Sequence, residues 1–423
     1  MSRKLNLANL NMQQREKISK DLSIEVPSSK YSAGPPKIVT PFEVDDNNWI
    51  YIPFAYDISI PRPTRKELGT INSTFIGELY EEQENIHSQC IGHLNKTGSS
   101  LIAARTGFGK SITAISIAVK IKLKTLIVIN RVNLANQWKE SIEQFCCSNT
   151  KVQILTGKEK KKDVDFYIMN AINISKRTHE EYTDIGFIII DECHCILADK
   201  ISKCMTYICP RYILGLSATP YRNDGLNILF DLYFGKNKIE LKLYREHTVY
   251  IVKTGIKPKT ELNANGKINW NALIETLSND HKRNEQIIQL TKHFPNKVLL
   301  IVTKRVEQAN YLVNRLQEEG EHVESLIGSK QEFDKKCRIL VGTLQKCGTG
   351  FDFKQLDGLI MAIDVESYFI QLLGRVFRRR DNIPVIFDLI DDNPILLKHY
   401  QTRRQVYIEC GGNIQLYKKK LIE

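Results

Sequence analysis

Ala103-Ala104-Arg105-Thr106-Gly107-Phe108-Gly109-Lys110-Ser111 ends in Gly-Lys-Ser and sits between two apolar segments. One closes at Leu101 to Ala103 as a short strand, and the other opens a helix-like run from Ile112 to Val119. A strand feeding a glycine-rich loop that opens a helix turns backbone N–H groups inward, where they cradle phosphate. Thr106, Gly107, Phe108 and Gly109 form the cradle. Lys110 is the candidate to reach the β- and γ-phosphates of a nucleotide, and the Ser111 hydroxyl the candidate to help hold Mg²⁺. Ala104 stands where the generic G-x-x-x-x-G-K-[ST] pattern has its first glycine. The loop alone does not separate a kinase, a GTPase, a transporter ATPase and a motor, and a chance glycine-rich turn is its bland alternative.

The composition narrows the class. With 423 residues the chain is long enough for two or three domains with buried cores. No run approaches the roughly 18 apolar residues of a membrane span, and the Met-Ser-Arg-Lys start lacks an apolar h-region. A soluble intracellular protein is expected, with no membrane partner. The net charge of +12 favours a polyanionic partner without identifying it. The ten cysteines read as reduced thiols. Their tightest group, Cys193, His194, Cys195, Cys204 and Cys209, matches no common zinc spacing.

Seven of the thirteen prolines lie at or before Pro63, around the aromatic strand-like stretch Trp49 to Tyr56. Residues 1–75 therefore read as an irregular N-terminal extension with a small β element. Its aromatic residues Trp49, Tyr51, Phe54 and Tyr56 either stack on bases or pack onto the adjacent domain, and packing is the commoner use. Beyond residue 76, short apolar runs such as Leu126 to Ile129 and Phe187 to Ile190 suit parallel strands buried on both faces. Helix-like segments such as Asn133 to Phe145 lie between them. A second set follows from residue 296, with strands expected at Val298 to Val302, Arg338 to Val341, Gly358 to Ile363 and Val385 to Leu389. The reading is α/β, with one unit at 76–235, a linker at 236–295 and a second unit at 296–423. The linker holds an amphipathic run from Trp270 to Phe294.

Phe187-Ile-Ile-Ile-Asp191-Glu192-Cys193-His194 is the second decisive stretch. A buried strand delivers two carboxylates at its C-terminal end, where ligands of open α/β sheets collect. Asp191 is the candidate Mg²⁺ holder, commonly through water, and Glu192 the candidate general base that orients the attacking water. Unpaired, two such acids read as a helix cap or a surface turn. Behind a phosphate loop, the catalytic reading gains.

Here the sequence resembles the superfamily 2 helicases, whose second motif is D-E-x-H or D-E-A-D. Tyr80-Glu-Glu-Gln83 is similar to the family's glutamine element, in which Gln83 reads the adenine edge. Asn130 to Trp138, with its Gln137-Trp138 pair, resembles motif Ia of the XPB and UvsW group. Leu214-Gly-Leu-Ser217-Ala218-Thr219-Pro220 resembles motif III, followed by that group's Arg222-x-Asp224-Gly225. Gly342-Thr343 through Gly350-Phe-Asp352 resembles motif V, and Gln371-Leu-Leu-Gly374-Arg375-Val-Phe-Arg378 resembles motif VI. The resemblance covers roughly residues 76–390. Asp-Glu-Cys-His is neither D-E-A-D nor D-E-A-H, and Gly350 lies one residue further from Thr343 than in DEAD-box proteins. That extra residue, like the Gln137-Trp138 pair and Arg222-x-Asp224-Gly225, favours the XPB/UvsW side, and the layout resembles the compact helicases of large DNA viruses, including the poxvirus transcript-release helicase.

The resemblance implies two tandem RecA-like parallel-sheet domains with ATP in the cleft between them. Lys110, Asp191, Glu192, Gln371, Arg375 and Arg378 would serve catalysis, the last two as arginine fingers. Gly350 and Asp352 would join the phosphate loop in binding nucleotide. His194, Ser217 and Thr219 would couple the ATP site to the strand-binding face. Gln137, Thr343 and Thr303, with Lys304 beside the last, would contact nucleic acid through its backbone, sequence-tolerantly and with strong salt dependence. DNA is the favoured substrate, with three-prime-to-five-prime polarity implied. RNA or an RNA–DNA hybrid in viral-type transcription is the alternative, with the transcription machinery as partner. A catalytically inactive nucleic-acid-binding protein is the alternative of another class.

Overall fold

The computed structural model describes residues 1–26, 38–60, 68–104, 107–197, 202–218, 226–264, 266, 268–330, 332–348, 351, 353–365, 369–379, 381–419 and 421. The chain divides into two compact units, Met1–Leu241 and Lys242–Glu423.

Unit 1 opens with β1 (Ser2–Asn6), α1 (Met12–Asp21), β2 (Ile24–Glu25), β3 (Ile38–Val39), β4 (Glu43–Val44) and β5 (Trp49–Pro53). Strands β1, β5 and β4 form a small antiparallel sheet, and an Asn11/Gln14 capping box starts α1. Leu5, Ile18, Leu22, Ile50 and Ile52 give this part its own core. Phe54 enters the main core beside Leu101 and Tyr233. The described residues of the expected extension are thus folded as part of unit 1. Its aromatic residues are committed to packing: the Tyr51 and Tyr56 hydroxyls donate to Asp45 and Asp21 at 3.2 and 2.9 Å.

The unit continues through α2 (Glu81–Thr97), β6 (Ser99–Ala104), α3 (Lys110–Ile121), β7 (Thr125–Ile129), α4 (Asn133–Phe145), β8 (Val152–Leu155), β9 (Phe166–Asn170) and α5 (Ala171–Ile174). It ends with β10 (Phe187–Ile190), α6 (Cys193–Ile196), β11 (Tyr212–Ser217), α7 (Ile228–Phe234) and β12 (Lys238–Leu241). The strands make a parallel sheet in the order β12-β6-β11-β10-β7-β9-β8. The continuous apolar runs have a direct cause here. Leu126 and Val128 enter one hydrophobic cluster, while Ile127 and Ile129 enter the other. Alternating side chains need apolar character on both sides when both faces are covered. In α4, Ala135, Trp138 and Ile142 recur on one face and turn Trp138 beneath the sheet's C-terminal edge.

Unit 2 begins with β13 (His247–Lys253), α8 (Trp270–Asn279), α9 (His281–His293), β14 (Leu299–Thr303), α10 (Val306–Glu318), β15 (Val323–Leu326), β16 (Ile339–Thr343) and α11 (Leu344–Cys347). It closes with β17 (Gly358–Met361), α12 (Phe369–Val376), β18 (Val385–Ile390), α13 (Pro394–Glu409) and β19 (Gly412–Leu416). Its parallel sheet runs β15-β16-β14-β17-β18-β13-β19. The expected linker at 236–295 is corrected by this order. Strand β12 belongs to the first sheet, and β13 lies inside the second, between β18 and β19. The amphipathic run is two helices, parted at Asp280, whose carboxylate accepts from the Arg283 amide to start α9. Among the described residues no helix is long and apolar enough to cross a membrane.

Candidate active site

The first sheet sets the site by strand order. The phosphate loop follows β6, Ser217 ends β11, and Asp191 follows β10, with β11 between the other two strands. All three positions therefore share the C-terminal edge, where the crevice of an open parallel sheet receives ligands.

Gly107 and Gly109 have φ of +82° and +92°, and α3 starts at Lys110. A side chain at Gly109 would be strained by that φ, and its Cβ would come within 2.3 Å of Gln83 Nε2. Gln83 is 3% exposed. Its Nε2 donates to the Phe108 carbonyl at 2.9 Å, and its Oε1 accepts from the Tyr80 amide at 3.0 Å. Gln83 is thus a strut between the start of α2 and the phosphate loop, a use that the resemblance to an adenine reader does not supply. Lys110 folds back and donates from Nζ to the Ala104 carbonyl at 2.7 Å.

Asp191 is 9% exposed. Its Oδ2 accepts from Trp138 Nε1 at 2.9 Å, and its Oδ1 accepts from the Glu192 amide at 3.0 Å. Burial, then the neighbouring Glu192 carboxylate, push the Asp191 carboxyl up to about 6, against the pull of Trp138 and of the Lys110 charge. Glu192 sits at φ 47°, ψ 50°, a left-handed conformation that costs a non-glycine residue about 1–2 kcal/mol. The strand exit thereby turns sharply and sends consecutive carboxylates in different directions. Glu192 Oε2 lies 3.4 Å from His194 Nδ1, and that nitrogen lies 2.9 Å from Ser217 Oγ. Cys193 is buried in the core, so the unusual residue of this stretch fills space rather than facing a ligand.

The bond from Trp138 to Asp191 is not legible in the motifs, where Gln137-Trp138 stands only as a family mark. Helical phase was the available signal, since Trp138 lies on the buried face of α4 and Gln137 on the exposed one. The donor set suits a nucleotide with a hard cation: left-handed glycines open the cradle, a lysine faces it, and Asp191 and Ser111 offer oxygens.

In unit 2, Gln371 and Arg375 lie four apart on α12, and both are buried. Arg375 donates from Nη1 to the Phe351 carbonyl at 2.8 Å, with its guanidinium 5.2 Å from that ring's centroid. Arg378 follows the helix, half-buried. Thr303 and Thr343 are register partners at the ends of β14 and β16. Thr303 is 0% exposed and donates its hydroxyl to the Arg305 carbonyl, so the surface group at the end of β14 is the exposed Lys304. Thr106, Thr219, Arg222, Asp224, Gly225, Gly350 and Asp352 lie outside the described residues.

A strand, a glycine loop and a helix, with two acids after a second strand of the same parallel sheet, define a P-loop nucleoside triphosphatase, here carried with a second parallel-sheet unit. Residues 76–222 match the family model described as type III restriction enzyme, res subunit. The chain is 42% identical over 400 residues to putative helicase 161L of Invertebrate iridescent virus 6, covering 88% of this chain and 90% of that protein. It is 24% identical over 379 residues to the transcript termination protein A18 of Myxoma virus, covering 79% and 78%. The fold is similar to that of S. cerevisiae Dbp5 bound to RNA and ADP BeF3, with a TM-score of 0.55 and 12% identity over 78% of this chain and 89% of that one. The chain belongs to the superfamily 2 helicases and is an ATP-dependent helicase.

Proposed function

We propose that the chain uses ATP hydrolysis to move along and open nucleic acid, with DNA as its favoured track. The observation that carries this reading is the chain of contacts Trp138–Asp191–Glu192–His194–Ser217 across the C-terminal edge of the first sheet. It joins the carboxylate that would hold a cation to Ser217 at the end of β11, the strand beside β6.

Charge and position support the following residue roles. The loop Gly107 to Ser111 binds the phosphates through backbone N–H groups, and Lys110 exchanges its bond to the Ala104 carbonyl for phosphate oxygen. Asp191 and Ser111 would hold Mg²⁺, which when bound neutralises charge on the phosphate oxygens. Glu192, less buried than Asp191, accepts the proton of the attacking water. Gln371, Arg375 and Arg378 are the candidates to sense and stabilise charge developing on the γ-phosphate. Gln137, Lys304 and Thr343 are the candidate backbone contacts.

Trp138→Phe removes one donor and keeps the ring in the core. Asp191 Oδ2 then loses the bond that holds the carboxylate ionised and oriented. The expected result is a rise of about 10–100-fold in the Mg²⁺ concentration giving half-maximal ATPase. An unchanged Mg²⁺ dependence removes Trp138 from the positioning role.

Similarity to a transcript termination protein favours a second reading, action on RNA or on an RNA–DNA hybrid during transcript release. ATPase stimulation by single-stranded DNA, duplex DNA, RNA and hybrid, measured at one stated salt concentration, separates the two. Strongest stimulation by DNA is expected. Strongest stimulation by RNA or hybrid overturns the DNA assignment, and a chain that hydrolyses no ATP under any condition overturns both.

A further inference from the structure

Unit 2 contains a cavity of 260 Å³ at the C-terminal edge of its sheet, lined by Trp270, Leu273, Leu277, Lys304, Asp364 and His399 among others. Its floor is rigid. Buried Arg283 donates to the Ala362 carbonyl at 2.6 Å, and buried Arg403 donates to Asp364 at 2.6 Å. One face of the Trp270 indole is covered by the His399 imidazole, with ring centroids 5.3 Å apart and planes 17° from parallel. His399 is itself held by Asp364. Trp270 is nonetheless 39% exposed. An aromatic platform is thus backed by a fixed partner, fixed in turn by a buried ion pair, and left open to solvent.

We infer that Trp270 is a stacking platform for one base of a single nucleic-acid strand. The inference rests on the nucleic-acid reading above and adds a contact to bases where that reading has contacts to the backbone alone. The cavity is smaller than the roughly 300–1,000 Å³ of drug-sized ligand sites, so it suits a single ring system. Exposed Lys304 at its rim supplies the cation for an adjoining phosphate, and it directly follows β14, whose last residue pairs with Thr343. A π-face accepts any base, so the platform grips without reading sequence.

The test uses the full chain and two oligonucleotides of equal length, a poly-thymidine strand and its abasic counterpart, which keeps the phosphates and lacks bases. Trp270→Ala is expected to weaken poly-thymidine binding by about tenfold or more and to leave abasic binding unchanged. Lys304→Ala should weaken both and reduce the salt slope by about one. A fluorescence measurement guards against a folding defect. Quenching by poly-thymidine should occur in the unsubstituted protein and vanish in Trp270→Phe, where Trp49 and Trp138 still emit. Equal losses on both strands, or quenching that persists in Trp270→Phe, overturn the platform while leaving the backbone reading intact. Absence of binding by the unsubstituted protein to either strand overturns that reading and the platform with it.

Discussion

Glu192→Gln should lower kcat for ATP hydrolysis by about 10²–10⁴-fold while ATP still binds. The substitution keeps the shape of the side chain and takes away its ability to accept a proton. In the proposed roles, phosphate binding would draw on Lys110 and the loop amides, which the change leaves in place. The left-handed backbone at Glu192 is set by the exit from β10 and accommodates glutamine as it does glutamate. Nearby His194 also retains its contact with Ser217, so the link to β11 survives. Phosphate release together with equilibrium binding of a fluorescent ATP analogue checks both halves of the expectation. Hydrolysis at the original rate refutes Glu192 as the base, and loss of binding assigns it to the cradle instead.

Arg403→Leu should destabilise unit 2 by about 3–5 kcal/mol, a large fraction of the roughly 5–15 kcal/mol that holds a domain together. Helix α13 presents His399, Arg403 and Tyr407 four residues apart on one face. Arg403 donates from Nε and Nη2 to the two oxygens of Asp388, at 2.9 and 3.0 Å, while the Tyr407 hydroxyl donates to the same carboxylate at 3.0 Å. Asp388 is wholly buried, so removing the arginine strands a charge where solvent does not reach. The double variant Arg403→Leu, Asp388→Leu should recover part of the loss, because the wholly buried carboxylate goes with the arginine, while Asp364 loses its bond from Arg403 and keeps His399. Urea unfolding followed by the part of the fluorescence change that Trp270→Phe removes reads this, since Trp270 is the tryptophan of unit 2. A single variant as stable as the parent, or a double variant worse than the single, contradicts this account.

Much of the fold was legible because both sheets are parallel and covered on both faces. The strands at Leu126 to Ile129 and Phe187 to Ile190 carry apolar residues at every position and announce themselves without an alignment. Strand β13 does not. Its Thr248 and Tyr250 interrupt the apolar run, and its partners lie far away in sequence, at β18 and β19. No local pattern places such a strand, and residues 236–295 consequently read as a linker. The same limit governs the site. Lys110, Asp191 and Glu192 follow from short motifs, whereas Trp138 reaches Asp191 only because the sheet brings β10 beside β7, the strand that leads into α4. Thr303 shows the reverse: its place at the end of a strand was legible to within a residue, but the burial that spends its hydroxyl on Arg305 was not.

The place of β13 also bears on how the chain is made. During synthesis this strand emerges first in unit 2, yet both of its neighbours are among the last segments to follow. A nascent unit 2 therefore carries an unpaired, partly apolar edge through most of its translation, the kind of edge that templates intermolecular pairing. Unit 1 is complete before β13 appears and is free to fold while the ribosome continues. Chaperone demand should fall on the later half of the chain, and truncations between β13 and β18 should aggregate where truncation after β12 leaves a soluble product.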